Sequence, residues 1–385
     1  MDNSDKNDST SPVNASSAPT ANAPVETPVS DGKPRRWWVW IIVVIAVGVL
    51  FFVLGRFMTA KDKAGDRPHE VVTDEASIID KLVAKAEAGD VEAQAKLGEM
   101  YFQGKEVARN MEEGMKWYQK AAENGDVKAQ FFVGNEYFKG ENVPKNIEEG
   151  MKWYRKAAEN GHVEAQFIIG KEYLKGGNVE KDVAEAVTWI KRSSEKGYVP
   201  AQIKIGEMYL FEEGLQKDYM AAFRNFKKAS EDNNKTAQYY LGLMFENGLG
   251  VAKDYSEAEK WYKLSAEQGQ AQAQYKLGVI YNDGLLGSKD YLEALKWFKL
   301  SAEQNCADAQ FVLGEIYYKE KNYQAAAKWY REAAERGHAD AQYNLGNMYR
   351  KGEGVAQDRN EASKWYKKAS DQGHIRAKFF LLGKE

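Results

Sequence analysis

An alanine–glutamine pair returns at a fixed interval through this chain, and that interval constrains the fold more than any other feature. Its glutamines are Gln94, Gln130, Gln166, Gln202, Gln238, Gln274 and Gln310, each 36 residues from the last, then Gln342 after a step of 32. Four residues beyond each glutamine stands a glycine, from Gly98 to Gly346. A period of this length marks a solenoid, in which no repeat buries its apolar face alone and each leans on its neighbours. The register defines eight units over residues 90–373. A half-unit, 374–385, follows as a C-terminal cap, with Leu382 in the glycine column.

Each unit reads as two helices. The first carries Ala93, Leu97 and Tyr101 at i, i+4 and i+8, on one face. A glycine-containing loop follows. The second places Trp117, Trp153, Trp189, Trp261, Trp297, Trp329 and Trp365 in one column. Gly or Ala lies three residues before each tryptophan, as at Gly114 and Ala258, and Ala or Ser four residues after, as at Ala121 and Ser265. Large rings beside tiny side chains let two helices approach closely, so the tryptophan column is expected to form the core. Two units depart from the pattern. Unit four has Asn225 in the tryptophan column with Phe226 beside it, and unit seven has an interhelix loop four residues shorter. Only eight prolines occur in 385 residues, and five of them precede residue 35, so the array has few helix breakers.

Upstream of the array the composition changes twice. Residues 1–36 are Ser, Thr, Ala, Asn, Pro and Asp with almost no large apolar side chains, and are expected to be a disordered tail. Residues 37–55, WWVWIIVVIAVGVLFFVLG, contain no charge. As a helix rising about 1.5 Å per residue they would span about 28 Å, close to the hydrocarbon thickness of a bilayer. Trp37, Trp38 and Trp40 would form an interfacial cluster at one end. This segment is read as a single transmembrane helix. A buried core helix is disfavoured because the repeats are complete without it, and a cleaved signal peptide because the run is too long and lacks a small-x-small site. Lys33, Arg35 and Arg36 crowd its N-terminal side, which favours a cytoplasmic N-terminus and repeats outside, in a bacterial periplasm. Residues 56–75 read as a polar linker and 76–89 as a capping helix.

Chemistry is sparse. The net charge of −3 gives no global basic field to gather nucleic acid. The single cysteine, Cys306, permits no internal disulfide. His162, His338 and His374 each follow a repeat-ending glycine at least one unit apart, a placement that suits helix capping rather than a metal site. Ser193-Ser194-Glu195-Lys196 matches SxxK, which can mark an acylating serine, but SDN and KTG partners are missing and Ser193 falls in the small-residue packing column. No phosphate loop, dinucleotide fingerprint or zinc spacing occurs. The expectation is therefore no enzyme, no cofactor, no metal and no small-molecule substrate.

The unit AQYNLGNMYRKGEGVAQDRNEASKWYKKASDQGH, residues 341–374, resembles the Sel-one-like repeat (SLR), a relative of the tetratricopeptide repeat. All eight units carry the resemblance, which covers about three quarters of the chain. It implies an all-α superhelical solenoid of helical hairpins that scaffolds protein complexes. In such arrays the first helices line the concave groove. On the corresponding positions of units two to five stand Phe131, Phe132, Phe138, Phe167, Ile168, Leu174, Leu210, Phe211, Tyr239 and Tyr240. The same columns hold Lys96, Lys276, Asn344 and Arg350 in units one, six and eight. Phe132, Phe138, Ile168, Leu174, Phe211 and Tyr240 are the expected partner-binding strip. Its alternative is burial between neighbouring units, the fate preferred for the first residue of each pair. The leading functional expectation is a membrane-tethered scaffold that binds proteins or peptides in this groove. Alternatives are an envelope hydrolase acting on cell-wall material and an immunity protein that masks a toxin.

Overall fold

The computed structural model describes residues 73–381, which form eighteen α-helices and no strand. A leading helix, α1 (Thr73–Glu87), precedes eight hairpins. Their first helices are α2 (Val91–Gln103), α4 (Val127–Lys139), α6 (Val163–Lys175), α8 (Val199–Phe211), α10 (Lys235–Asn247), α12 (Ala271–Asp283), α14 (Ala307–Lys319) and α16 (Ala339–Lys351). Their second helices are α3 (Met111–Glu123), α5 (Ile147–Glu159), α7 (Val183–Glu195), α9 (Tyr219–Glu231), α11 (Tyr255–Glu267), α13 (Tyr291–Glu303), α15 (Tyr323–Glu335) and α17 (Arg359–Asp371). A short helix, α18 (Ile375–Leu381), closes the array. Each second helix packs on the first helix of its own unit and on that of the next. The expected tail 1–36, span 37–55 and linker as far as residue 72 lie outside the described residues, as does Leu382. Among the described residues no helix is long and apolar enough to cross a membrane.

The core bears out the tryptophan column in five of its seven members. Trp117, Trp153, Trp189, Trp297 and Trp365 are 5–7 % exposed, and Trp261 and Trp329 are only half-buried. In units two to eight the residue after the tryptophan position is buried further: Tyr154, Ile190, Phe226, Tyr262, Phe298, Tyr330 and Tyr366 are at most 2 % exposed. That side chain lies flat against the recurrent glycine of its own first helix. A Cβ on Gly242 would sit 2.5 Å from the Tyr262 ring, and one on Gly278 would sit 2.5 Å from Phe298. The glycine column is therefore the seat of the hairpin's central ring, which is why no side chain replaces it in eight copies. The small residues before the tryptophan serve a second close approach: a Cβ on Gly150 would meet the Phe138 backbone nitrogen at 2.9 Å.

The glutamine column is a buried clasp. Gln130 donates from Nε2 to the Ala122 carbonyl of the preceding second helix at 3.0 Å. It accepts at Oε1 from Asn160 Nδ2, at the C-terminus of its own second helix, also at 3.0 Å. Gln94 and Gln342 repeat both contacts. One amide thus ties three helices, adding a second donor to a carbonyl that already accepts from a backbone amide of the turn, as Ala122 does from Gly125 at 3.2 Å.

Candidate binding face

The first helices of neighbouring units lie side by side. The Tyr240 hydroxyl of α10 donates to Glu207 of α8 at 2.9 Å, Lys276 of α12 pairs with Glu246 of α10 at 3.0 Å, and Asn344 of α16 donates to Glu315 of α14 at 3.1 Å. Columns on these helices therefore run continuously across the array, as the 36-residue register requires.

The structure places the six expected strip residues on that face, in two settings. Phe132 stacks on Tyr118 of the preceding second helix, ring centroids 4.1 Å apart, and meets Phe102 edge-on at 4.9 Å. Tyr240 repeats this on Phe226 at 4.5 Å. Burial, with Glu207 alongside, pushes the Tyr240 phenol well above its usual range, so it stays a neutral donor. Phe138 leans on Tyr154 at 5.6 Å, and Ile168 and Leu174 pack their inner edges on the cores of units three and four. All five are half-buried, with one edge in the core and one in solvent. Phe211 differs. It is 60 % exposed and only approaches Tyr240, edge-on, at 6.3 Å. It ends a helix whose C-cap is Glu212 in the left-handed region, φ 62°, where the units on either side place Gly176 and Gly248.

In Leu210–Phe211 the first residue is buried and the second exposed, as preferred, whereas in Phe131–Phe132 and Tyr239–Tyr240 both members are half-buried and point opposite ways along the array. Phe131 stacks forward on His162 at 4.1 Å and Tyr239 leans forward on Tyr262 at 5.9 Å, whereas Phe132 and Tyr240 stack backward. Leu210 is buried. Among the polar columns, Lys276 and Asn344 are bridges between units, Arg350 lies over Phe380 at 5.4 Å, and Lys96 is exposed.

The remaining chemical candidates all have structural roles. His162, His338 and His374 are N-caps whose Nδ1 accepts from the backbone amides of Ala165, Ala341 and Ala377 at 3.1–3.3 Å. Each ring stacks on an aromatic of the preceding unit, namely Phe131, Phe311 or Tyr343. Burial holds the His162 imidazole below its ordinary value of 6.5. Ser193 is fully buried and donates to the Val163 carbonyl at 2.7 Å, a bond that Ser265 and Ser301 repeat in their own units. Lys196 donates instead to the Gly161 carbonyl at 3.2 Å. No group of three or more potential metal ligands occurs among the described residues.

The profile of the family described as Sel1 repeat matches residues 91–126, 127–162, 163–198, 199–234, 235–270, 271–306, 307–338 and 339–374. Among solved structures, a Sel1 repeat protein from Oxalobacter formigenes is 28 % identical with a TM-score of 0.66, over 86 % of this chain and 99 % of that one. A protective antigen present in uropathogenic Escherichia coli strains, displaying an SLR fold, is 31 % identical over 80 % of this chain and 84 % of its own, with a TM-score of 0.46. A putative Sel1 repeat protein from Klebsiella pneumoniae is 22 % identical over 52 % of this chain and 98 % of its own, with a TM-score of 0.32. No curated protein matches the chain.

Proposed function

Because the chain belongs to the Sel1 repeat family, whose arrays are in general protein–protein interaction scaffolds, we propose that it holds a partner protein or peptide on the first-helix face of units two to five. The observation that carries this reading is Phe211. A phenylalanine 60 % exposed beside a half-exposed tyrosine has the form of an anchor awaiting a partner, and such rings tend to dominate binding energy. Phe132, Phe138, Ile168, Leu174 and Tyr240 add apolar edges in units two, three and five, with Lys204 and Glu246 between them in the same columns, and clustered apolar edges mark interaction surfaces. The apolar run 37–55 supports a second element of the proposal: a single-pass tether, N-terminus in the cytoplasm, holding the array at the outer face of a bacterial inner membrane.

Two experiments test the proposal. Phe211→Asp removes the anchor without entering the core, so partner capture from membranes should be lost at unchanged helical content. Lys116→Asp and Lys260→Asp, on exposed faces of second helices, should leave capture intact. Capture that survives Phe211→Asp and Phe132→Asp in a folded array would move the interface to the second helices or loops. For the tether, a reporter that fluoresces only in the cytosol, fused after Glu385, should remain dark. A bright fusion would reverse the orientation.

A further inference from the structure

A solenoid that stands alone closes its ends with helices whose outer faces are polar. The two ends of this array are not closed in that way. At the front, α1 stands in the register of a second helix: its Ala86 carbonyl accepts from Gln94 as the Ala122 carbonyl accepts from Gln130. Ile78 then falls in the small-residue column and Leu82 in the central-ring column. In the complete units both columns press on the first helix of their own hairpin, and the small residue is buried in every case from Gly114 to Ala362. Among the described residues no first helix precedes α1. Ile78 is 56 % exposed, and an open groove runs between Ile78, Ile79 and Leu82 of α1 and Lys96 and Met100 of α2. First helices lie side by side, so this groove is where a preceding first helix would sit. The residues one period upstream of α2, 55–67, lack the columns of the repeat, with Met58, Lys61 and Asp62 where α2 has Gln94, Leu97 and Gly98.

At the far end, α18 stands in the register of a first helix. His374 caps it, Ala377 is buried in the alanine column, and Phe380 stacks back on Tyr366 at 4.2 Å as Tyr240 does on Phe226. Among the described residues no second helix follows, and the forward face of α18 is bare. Leu381 is 42 % exposed, in a column whose other members, from Leu97 to Leu345, are at most 3 % exposed. Phe379 is exposed where its counterparts Phe131, Phe311 and Tyr343 each lean on the ring of their own second helix.

One end is a second helix without its first, and the other a first helix without its second. We infer that the front groove takes α18 of a second copy of this chain, so that copies join head to tail through a hairpin made of one copy's α18 and the next copy's α1. The register names the contacts. Asp308 and Asp340 reach the N-cap imidazoles of the units that follow them, His338 at 3.6 Å and His374 at 3.2 Å. The same column in α18 holds Arg376, and the N-cap it would face is Asp90 of the next copy, a charge-complementary pair. Ser193, Ser265 and Ser301 donate to the carbonyl of the first residue of their own first helix. Lys85 holds that column in α1, a donor for the Ile375 carbonyl. Lys378, in the glutamine column, would come to the C-terminus of α1, where a cation is favoured. Ile78 and Lys85 are larger than the residues they replace, so the two helices meet through side chains rather than backbone to backbone, with Phe379 and Leu381 across from Ile78 and Leu82. Such a heterologous joint extends into longer chains of copies or closes into rings. It does not depend on the first-helix strip.

The test uses the full chain in detergent, with Cys306→Ala so that each version carries only the cysteine introduced. Ile78→Cys and Phe379→Cys, both at exposed positions, are prepared separately, mixed and oxidised. The expected result is a cross-linked pair that forms only when both versions are present, and a ladder of larger species when one chain carries both cysteines. Arg376→Asp should slow the cross-linking at least about threefold at unchanged helical content. Adding Asp90→His, which keeps an N-cap and recreates the Asp–His arrangement of the last units, should recover it. Phe379→Cys linking to itself would make the contact tail to tail, and Ile78→Cys linking to itself would make it head to head; either overturns the head-to-tail joint. So does a mixed pair that forms no faster than one between Lys116→Cys and Lys260→Cys on the second helices, or one that ignores Arg376→Asp.

Discussion

Replacing Gly242 with alanine should weaken the array, although alanine is ordinarily the better helix residue by about 1 kcal/mol. The added Cβ would lie 2.5, 2.7 and 2.9 Å from three atoms of the Tyr262 ring. Carbon atoms sit comfortably at about 3.5–4.0 Å, so the ring or the helix must give by roughly 1 Å. Tyr262 has little room to give. It is fully buried, packs against Ala258, Ala266 and Leu277, and donates its hydroxyl to Glu246. Overpacking of a well-filled core costs about 1–3 kcal/mol, and so tight a seat belongs at the upper end. After the helix-propensity gain, a net loss of about 2 kcal/mol remains. Denaturant unfolding of residues 71–385 should show a lower midpoint, with amide exchange accelerated first in α10 and α11. The sharper test is a change of sign. In a Tyr262→Ala background the seat is vacant, and Gly242→Ala should become neutral or stabilising by up to about 1 kcal/mol. A midpoint that rises with Gly242→Ala alone, or the same loss in both backgrounds, would refute the ring-seat account.

Three further outcomes follow from the same geometry. Tyr262→Ala should cost about 3–5 kcal/mol and Trp261→Ala clearly less, because the tryptophan is only half-buried; equal denaturant midpoints for the two would contradict this. Asp232→Asn should stabilise unit four by about 1 kcal/mol, since Gln202 Oε1 is buried without a partner where Asn124 and Asn160 supply a donor to the same atom, and a neutral group is also preferred at a helix C-terminus; an unchanged or lowered melting temperature counts against it. His162 is held below 6.5 by burial, so the unfolded chain binds its proton more readily and the cap's contribution, full above pH 6.5, is lost as pH falls through the lower folded value. Midpoints recorded from pH 7.5 to 5 should therefore drop less for His162→Asp, which keeps the cap used by Asp126, than for the natural chain.

The periodic columns made the hairpin array legible because a solenoid repeats its contacts as faithfully as its residues. Gln94 and Gly98 return because one clasps three helices and the other seats a ring, and a fixed register is the trace both leave. What periodicity alone does not encode is rank within a helix. Trp261 and Tyr262 are adjacent, both large and both recurrent, and only the geometry of the hairpin decides that the second faces the glycine seat while the first turns toward the outer edge. The strip was half legible for a related reason. The spacing put Phe132 and Tyr240 in one column, but their stacking on Tyr118 and Phe226 depends on the neighbouring second helix, 14 residues away in each case. Unit four shows where the two kinds of information part. Its sequence breaks the pattern at Asn225, and its structure breaks it again at Glu212, which holds the left-handed cap position that glycine takes in the units on either side. Glu212 directly follows Phe211, the most exposed ring of the strip. Function-bearing positions are where a sequence is expected to give up local consistency, so this irregular cap is a natural seat for the partner's anchor.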